Sequence, residues 1–202
     1  MKIFFDTEFT GLHKNTTLLS IGLIDENGRT FYGEFTDYDR YQVNDWIEQN
    51  VIYNMFTHGF YKEDWCNKKI NEIRCNGSTW YIRQQLEKWL IDGNYDKIEL
   101  VSDVCHYDMV LFIDIWGDAF SIPKNINPAC HDINQDIAKY YNISETEAFD
   151  LSREGIIESY NEKIKEHWPN KIIKIEGNKH NSLYDALVIK EIYNLIKQGG
   201  LL

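Results

Sequence analysis

The sequence predicts an α/β fold: a mixed five-stranded sheet, its first three strands antiparallel, flanked by helices. Three observations carry that expectation. The first 36 residues hold three β-favouring runs, two of them joined through Asn27-Gly28. The apolar period then changes from two to that of a helix. Finally, a short apolar run, Lys97–Val101, stands between helical segments as a buried strand would.

Taken in order, Lys2 to Phe9 (KIFFDTEF) is apolar, with Ile3, Phe4 and Phe5 favouring a strand. Thr17 to Ile24 (TLLSIGLI) is the second run and Arg29 to Thr36 (RTFYGEFT) the third, alternating one. Asn27-Gly28 between them suits a type I′ hairpin, in which both central residues take φ > 0. Helical spacing follows in Val43–Met55 and in Ser78–Ile91, with Ser78 as an N-cap. After the Lys97–Val101 strand, Tyr107–Trp116, His131–Tyr141 and Glu145–Tyr160 read as helices. Lys171 to Ile175 reads as a short edge strand or a loop. The last helix, Ser182 to Ile196, has an apolar stripe of Leu183, Ala186, Leu187, Ile189, Tyr193 and Ile196, and Gly199-Gly200 ends it.

At 202 residues, with no repeat, low-complexity tract or linker, the expectation is one domain spanning 1–202. Hydrophobic residues make up 43% and charged residues 26%, a globular balance. No run reaches the roughly 18 apolar residues of a membrane span, so no membrane partner is expected. The N-terminal MKIFFDTEF lacks the length and cleavage site of a signal peptide, and a cytoplasmic protein is expected. Cys66, Cys75, Cys105 and Cys130 form no C-x-x-C motif. Cys105-His106 and Cys130-His131 are adjacent pairs, but zinc spacing is missing, and buried reduced thiols are the plainer reading. The net charge of −11 argues against binding long nucleic-acid tracts through a basic surface. It leaves open catalysis on a chain end through metal-bridged phosphate.

Three elements carry chemistry. Asp6 and Glu8, two apart on a strand, face one side while Thr7 faces the other. Two acids inside an apolar strand repel each other and lose hydration, which a divalent cation relieves; a solvent-reaching strand end is the alternative. His180 and Asp185 flank the start of the last helix, five apart, so that both can turn toward one pocket. There the acid could bind metal and the imidazole, with its near-neutral pKa, could deprotonate water; taken alone, a capping histidine and a dipole-favoured acid are the plainer reading. Between these lie Val101–Asp108 and the apolar helix that follows, where Asp103, Asp108 and Asp114 compete for the role of a further ligand and spacing does not choose among them.

With these elements in order, the chain resembles the DEDDh branch of the DEDD exonuclease superfamily. The resemblance rests on Asp6-Thr7-Glu8-Phe9-Thr10-Gly11-Leu12, on Tyr107-Asp108 before an apolar helix, and on His180-x4-Asp185, with Asn181 where the tyrosine branch would need Tyr. Within it, Tyr107-Asp108, Leu111, Trp116-Gly117, Ile122-Pro123 and Asn127-Pro128 are similar to the pattern of ribonuclease AS-like 3′–5′ exoribonucleases; residues 140–178 match loosely. The resemblance implies a ribonuclease H-like fold and a 3′–5′ exonuclease with two divalent cations, Mg²⁺ or Mn²⁺. It implies that Asp6 bridges both ions, that Glu8 and Asp185 hold the one that activates water, and that Asp108 helps hold the other. His180 would take the proton from water, and the product would be a 5′-nucleoside monophosphate. The backbone of Phe9-Thr10 and the side chain of Leu12 would contact the terminal nucleotide. The partner implied is a single-stranded 3′ end, RNA before DNA, with a homodimer as one allowed assembly. Ser102-Asp103 departs from the family's usual approach to the second acidic motif, which leaves Asp103 a substrate-contacting or supporting role.

Overall fold

A computed structural model describes residues 1–58 and 63–199. Its sheet has seven strands: β1 (Lys2–Phe9), β2 (Leu18–Asp25), β3 (Thr30–Phe35), β4 (Trp65–Lys69), β5 (Glu72–Gly77), β6 (Glu99–Ser102) and β7 (His131–Asp132). Their order is β4-β5-β3-β2-β1-β6-β7. The first three strands are antiparallel as expected; β3–β5, β1–β6 and β6–β7 are parallel, and β4–β5 is antiparallel.

Strand alternation sorts the core into two layers. On one face, Ile3, Phe5, Ile21, Leu23 and Phe31 pack against α2 (Thr79–Asp92) through Leu86 and Trp89 and against α3 (His106–Trp116) through Phe112 and Ile115. On the other, Phe4, Ile24 and Val101 meet α4 (Ile133–Tyr141), α6 (Arg153–Ile164) and α7 (Ser182–Lys197) through Ile137, Ile156, Ile189 and Ile192. The same alternation carries Asp6 and Glu8 onto the α7 face and Thr7 onto the α3 face.

Two placements position the site. First, β1 pairs with β6 only over Lys2–Phe4, so the half of β1 holding Asp6–Glu8 runs past its neighbour and leaves a gap in the sheet. Second, α7 begins directly on β2. A Cβ on Gly22 would lie 2.3 Å from the backbone N of Leu183, and the Ser20 and Ser182 hydroxyls are 2.9 Å apart. Gly22 is the register partner of Asp6, so its missing side chain brings the start of α7 down beside the first acidic pair.

Five sequence expectations need correction. The sheet has seven strands, not five: the β4–β5 hairpin and the two-residue β7 add to it, while 171–175 takes the loop of its two readings, Ile173 bonding to the Asn161 side chain through both backbone groups at 2.8 Å. The β2–β3 hairpin forms, but Gly28 alone takes positive φ (+89°); Gly28 N–H donates to Asp25 O and Asp25 N–H to Arg29 O, a longer loop than a two-residue type I′ turn. The Val43–Met55 helix shortens to α1 (Asp45–Asn50), closed by Val51 N–H to Ile47 O, and a 3-10 turn, Ile52–Asn54, in which Asn54 N–H bonds Val51 O. His131–Asp132 belongs to β7, and Asp132 caps α4 through a bond from Asn134 N–H. The Glu145–Tyr160 segment is two helices, α5 (Glu145–Asp150) and α6, because Ser152 accepts from Gly155 N–H and starts a new one. Helix α7 ends at Lys197, with Gly199 at φ +66°; Gly200 lies outside the described residues.

Candidate active site

The overhanging half of β1 forms the floor of a cavity of about 380 Å³. Asp6, Glu8 and Phe9 come to it from β1, Leu12 from the β1–β2 loop, Tyr107 and Asp108 from the start of α3, Lys179 and His180 from the loop before α7, and Asp185 from the first turn of α7. The α5–α6 junction (Phe149, Leu151–Glu154) closes the side.

Asp108 is the second-motif acid that reaches the cluster. Beyond Phe4, β1 has no β6 partner, and Asp108 takes the open position: its Oδ1 accepts from Thr7 N–H at 3.0 Å and from Thr7 Oγ1 at 2.5 Å, and its Oδ2 from Ser102 Oγ at 2.7 Å. Thr7, between the two acids and pointing away from them, thus serves the site from the opposite face. Asp114 is exposed and does not line the cavity. Asp103 does line it, but its carboxylate is engaged: Arg153 donates through Nε (2.8 Å) and Nη2 (2.9 Å), and Asn134 Nδ2 adds a bond at 2.8 Å. Asp103 therefore anchors the α5–α6 wall through Arg153.

His180 and Asp185 are locked together by the loop. Asn181 caps α7, accepting from Leu183 and Tyr184 N–H, and its amide donates to Asn54 O at 2.8 Å. Asn54 in turn donates to Lys179 O at 2.9 Å. His180 takes φ +63°, a region costly for a residue with a Cβ, and its N–H donates to Asp185 Oδ2 at 2.9 Å. Its Nδ1 lies 3.9 Å from Glu8 Oε1, and the Trp46 ring of α1 meets the imidazole edge-on at 5.1 Å. Ligand atoms of Glu8, His180 and Asp185 all lie within 4.8 Å of one another.

Burial and mutual repulsion set the electrostatics. Asp6 and Glu8 are pushed well above the ordinary carboxylate range, first by loss of hydration and then by the neighbouring carboxylates Asp108 and Asp185. Burial raises Asp185 to about 7, its bond from His180 N–H opposing. Burial raises Asp108 to about 6 although the Thr7 and Ser102 bonds favour its charged form. His180 is lowered by burial and by Lys179. Four carboxylates that resist ionisation together are a site awaiting positive charge, and an all-oxygen set with one imidazole at its edge fits Mg²⁺ or Mn²⁺.

Of the residues expected at the substrate, Phe9 and the largely exposed Leu12 line the cavity, and Tyr107 stacks on Phe9 at 5.6 Å. Thr10 does not line it. Its N–H donates to Thr17 O, its hydroxyl bonds Gln42 and it is buried, so it fixes the turn behind Phe9. Sequence reasoning missed Arg153 and Trp46. The Asp103–Arg153 pair spans 50 residues and the Trp46–His180 contact 134, and no local pattern joins either.

Residues 1–196 match the family model for the 3′-5′ exoribonuclease Rv2179c-like domain. A curated relative, 3′-5′ exoribonuclease Rv2179c of Mycobacterium tuberculosis (strain H37Rv), is 29% identical over 136 residues, 67% of this chain and 73% of the relative. Among solved structures, the nuclease domain of 3′hExo, a DEDDh family member bound to rAMP, superposes with a TM-score of 0.63 at 14% identity, over 100% of this chain and 94% of that one. A 3′-exonuclease recognising the histone mRNA stem-loop gives 0.63 at 13% over 100% of this chain, which spans 65% of the matched chain. S. pombe Pop2p, in a Mg²⁺- and Mn²⁺-bound form, gives 0.57 at 13% over 98% of this chain and 82% of that one. At these identities the structural likeness is one of fold, and that fold is ribonuclease H-like.

Proposed function

Because the chain belongs to the 3′-5′ exoribonuclease Rv2179c-like domain family, we propose that it removes nucleotides one at a time from the 3′ end of single-stranded RNA by metal-assisted hydrolysis. The observation that carries this reading is the meeting of Asp6, Glu8, Asp108 and Asp185 with His180 in one cavity. Asp6, Glu8, Asp108 and Asp185 would hold two Mg²⁺ or Mn²⁺ ions. Bound there, two such ions favour an in-line displacement at phosphorus by stabilising charge on the attacking and leaving oxygens.

The chain's own residues do the rest. His180, pinned through its backbone N–H to Asp185, takes the proton of the attacking water on an imidazole nitrogen. Cleavage of the P–O3′ bond then releases a 5′-nucleoside monophosphate and leaves a 3′-hydroxyl on the shortened strand. Phe9 and Leu12 present apolar surface to the terminal nucleotide, and a cavity of about 380 Å³ suits a chain end better than a long tract. The net charge of −11 is consistent with that economy of contact, since the phosphate is bridged through cations instead of a basic groove.

Incubating 5′-labelled oligo-RNA and oligo-DNA with Mg²⁺ or Mn²⁺ tests the reading. A ladder shortening from the 3′ end of RNA, with 5′-monophosphates released and neither product formed by Asp6→Asn, is expected. A ladder on DNA alone would move the substrate to single-stranded DNA. No shortening of either strand, in any metal, would overturn the catalytic reading.

A further inference from the structure

Immediately beside the acidic cluster lies a second group of metal-ligating side chains that the hydrolysis does not use. Ligand atoms of Cys105, His106 and Asp132 all lie within 4.8 Å of one another. The Cys130 thiol, a near neighbour of Cys105, donates to Leu100 O at 3.6 Å. The fold assembles this group from two places: Cys105 and His106 open α3, while Cys130 and Asp132 flank the start of β7, parallel to β6. The sequence pairs Cys130 with His131, but His131 turns away and its Nε2 bonds Asp136 at 2.6 Å.

The local backbone is built around this cluster. Val104, a β-branched residue, takes φ +52°, a strained conformation that persists only where the surroundings impose it. It delivers Cys105 to the N-cap of α3, yet the Cys105 side chain makes no capping bond. Asp132 caps α4 through Oδ1 alone, which accepts from Asn134 N–H and Nδ2, both at 2.9 Å, so Oδ2 is left for another partner.

We propose that Cys105, His106 and Asp132, completed by Cys130 once its thiol leaves Leu100 O, form a second metal site, selective for a thiophilic divalent cation, Zn²⁺ foremost. Two sulfurs, an imidazole and a carboxylate are a tetrahedral zinc set, chemically distinct from the hard oxygen set of the catalytic cluster. Zinc would displace the proton of each thiol to solvent, leaving two thiolates, a neutral imidazole and one carboxylate around a 2+ ion. That unit carries one negative charge, which the N-terminus of α3 favours. Burial holds both thiols protonated without metal, so uptake should release protons. The ion would tie the strained turn to β7 and so hold Asp108, three residues beyond Cys105, in place.

Cobalt substitution tests this without recourse to activity. Full-length protein, purified without chelator and reduced, should take up Co²⁺ with a sulfur-to-cobalt charge-transfer absorption and the visible bands of a tetrahedral ion. Cys105→Ser and Cys130→Ser should lose the charge-transfer band and weaken Zn²⁺ binding by more than the roughly 10–100-fold that outer-sphere partners contribute. Cys66→Ser and Asp6→Asn should keep it, which separates this site from the catalytic one. As a check that needs no variant, blocking the thiols of wild type should release zinc to a chromogenic chelator. Absence of the band in wild type, its survival in both serine variants, or a Cys105–Cys130 disulfide in protein isolated from cells would each overturn the proposal.

Discussion

Asp185→Asn should make the metal-free protein more stable, and by an amount that depends on pH. Asp185 has its carboxyl raised from 3.8 to about 7 by burial among other acids. Its folded pKa exceeds its unfolded one, so the folded state holds the proton longer. The ionised form therefore costs stability increasingly as pH rises from about 4 to about 7, and the cost is constant above that. The full difference corresponds to about 4 kcal/mol at roughly 1.4 kcal/mol per pKa unit. Asp6 and Glu8 share the same repulsion and can take up the proton in its place, so about half, on the order of 2 kcal/mol, is the expected gain from neutralising one member. For a domain of this size that is roughly a 4–8 °C rise in Tm at pH 8, and under half of it at pH 5. The measurement is thermal unfolding of wild type and Asp185→Asn in EDTA at both pH values, repeated with Mn²⁺. Mn²⁺ should raise Tm at pH 8 strongly for wild type and weakly for the variant. An Asp185→Asn protein no more stable than wild type at pH 8, or equally stabilised at pH 5, would refute the reasoning.

Three further outcomes are expected. His180→Ala should lower kcat on oligo-RNA by about 10²–10⁴-fold while leaving KM within a few-fold, as gel-resolved single-turnover and steady-state assays would show. Arg153→Leu removes the partner of a largely buried carboxylate, Asp103, together with bonds to the Ala148 and Leu151 carbonyls; it should cost about 3 kcal/mol in urea unfolding and free the α5–α6 wall. Gly22→Ala places a methyl against the Ser182–Leu183 backbone, so α7 must shift; both lower Tm and at least tenfold weaker Mn²⁺ binding, measured by calorimetry, should follow.

Where the chain buries one face and wets the other, its sequence was readable. The strands of the β1–β2–β3 meander and helices α2, α3 and α7 were expected within a few residues, because each carries a run or stripe of apolar residues. The β4–β5 hairpin was not, because Asn67, Lys68 and Lys69 form an exposed edge with no alternation to see. β7 is too short for a pattern, and the break at Leu151-Ser152 sits between two segments that are each helical. Within the site, the meeting of Asp6 with Glu8 and of His180 with Asp185 was legible because each pair is set by local spacing. Spacing did not choose Asp108 over Asp103 and Asp114, and only the resemblance through Tyr107-Asp108 did, since the geometry depends on where β1 outruns β6 and on an arginine 50 residues from Asp103.

That overhang has a bearing beyond catalysis. A strand edge with open backbone groups can recruit another chain, and proteins guard such edges. Here the guard is Asp108, whose carboxylate occupies the Thr7 N–H that a foreign strand would otherwise claim. A carboxylate proposed to bind a cation is thus also a plug against intermolecular pairing. Substitutions at this one position that silence the nuclease should therefore also shorten the life of its solutions.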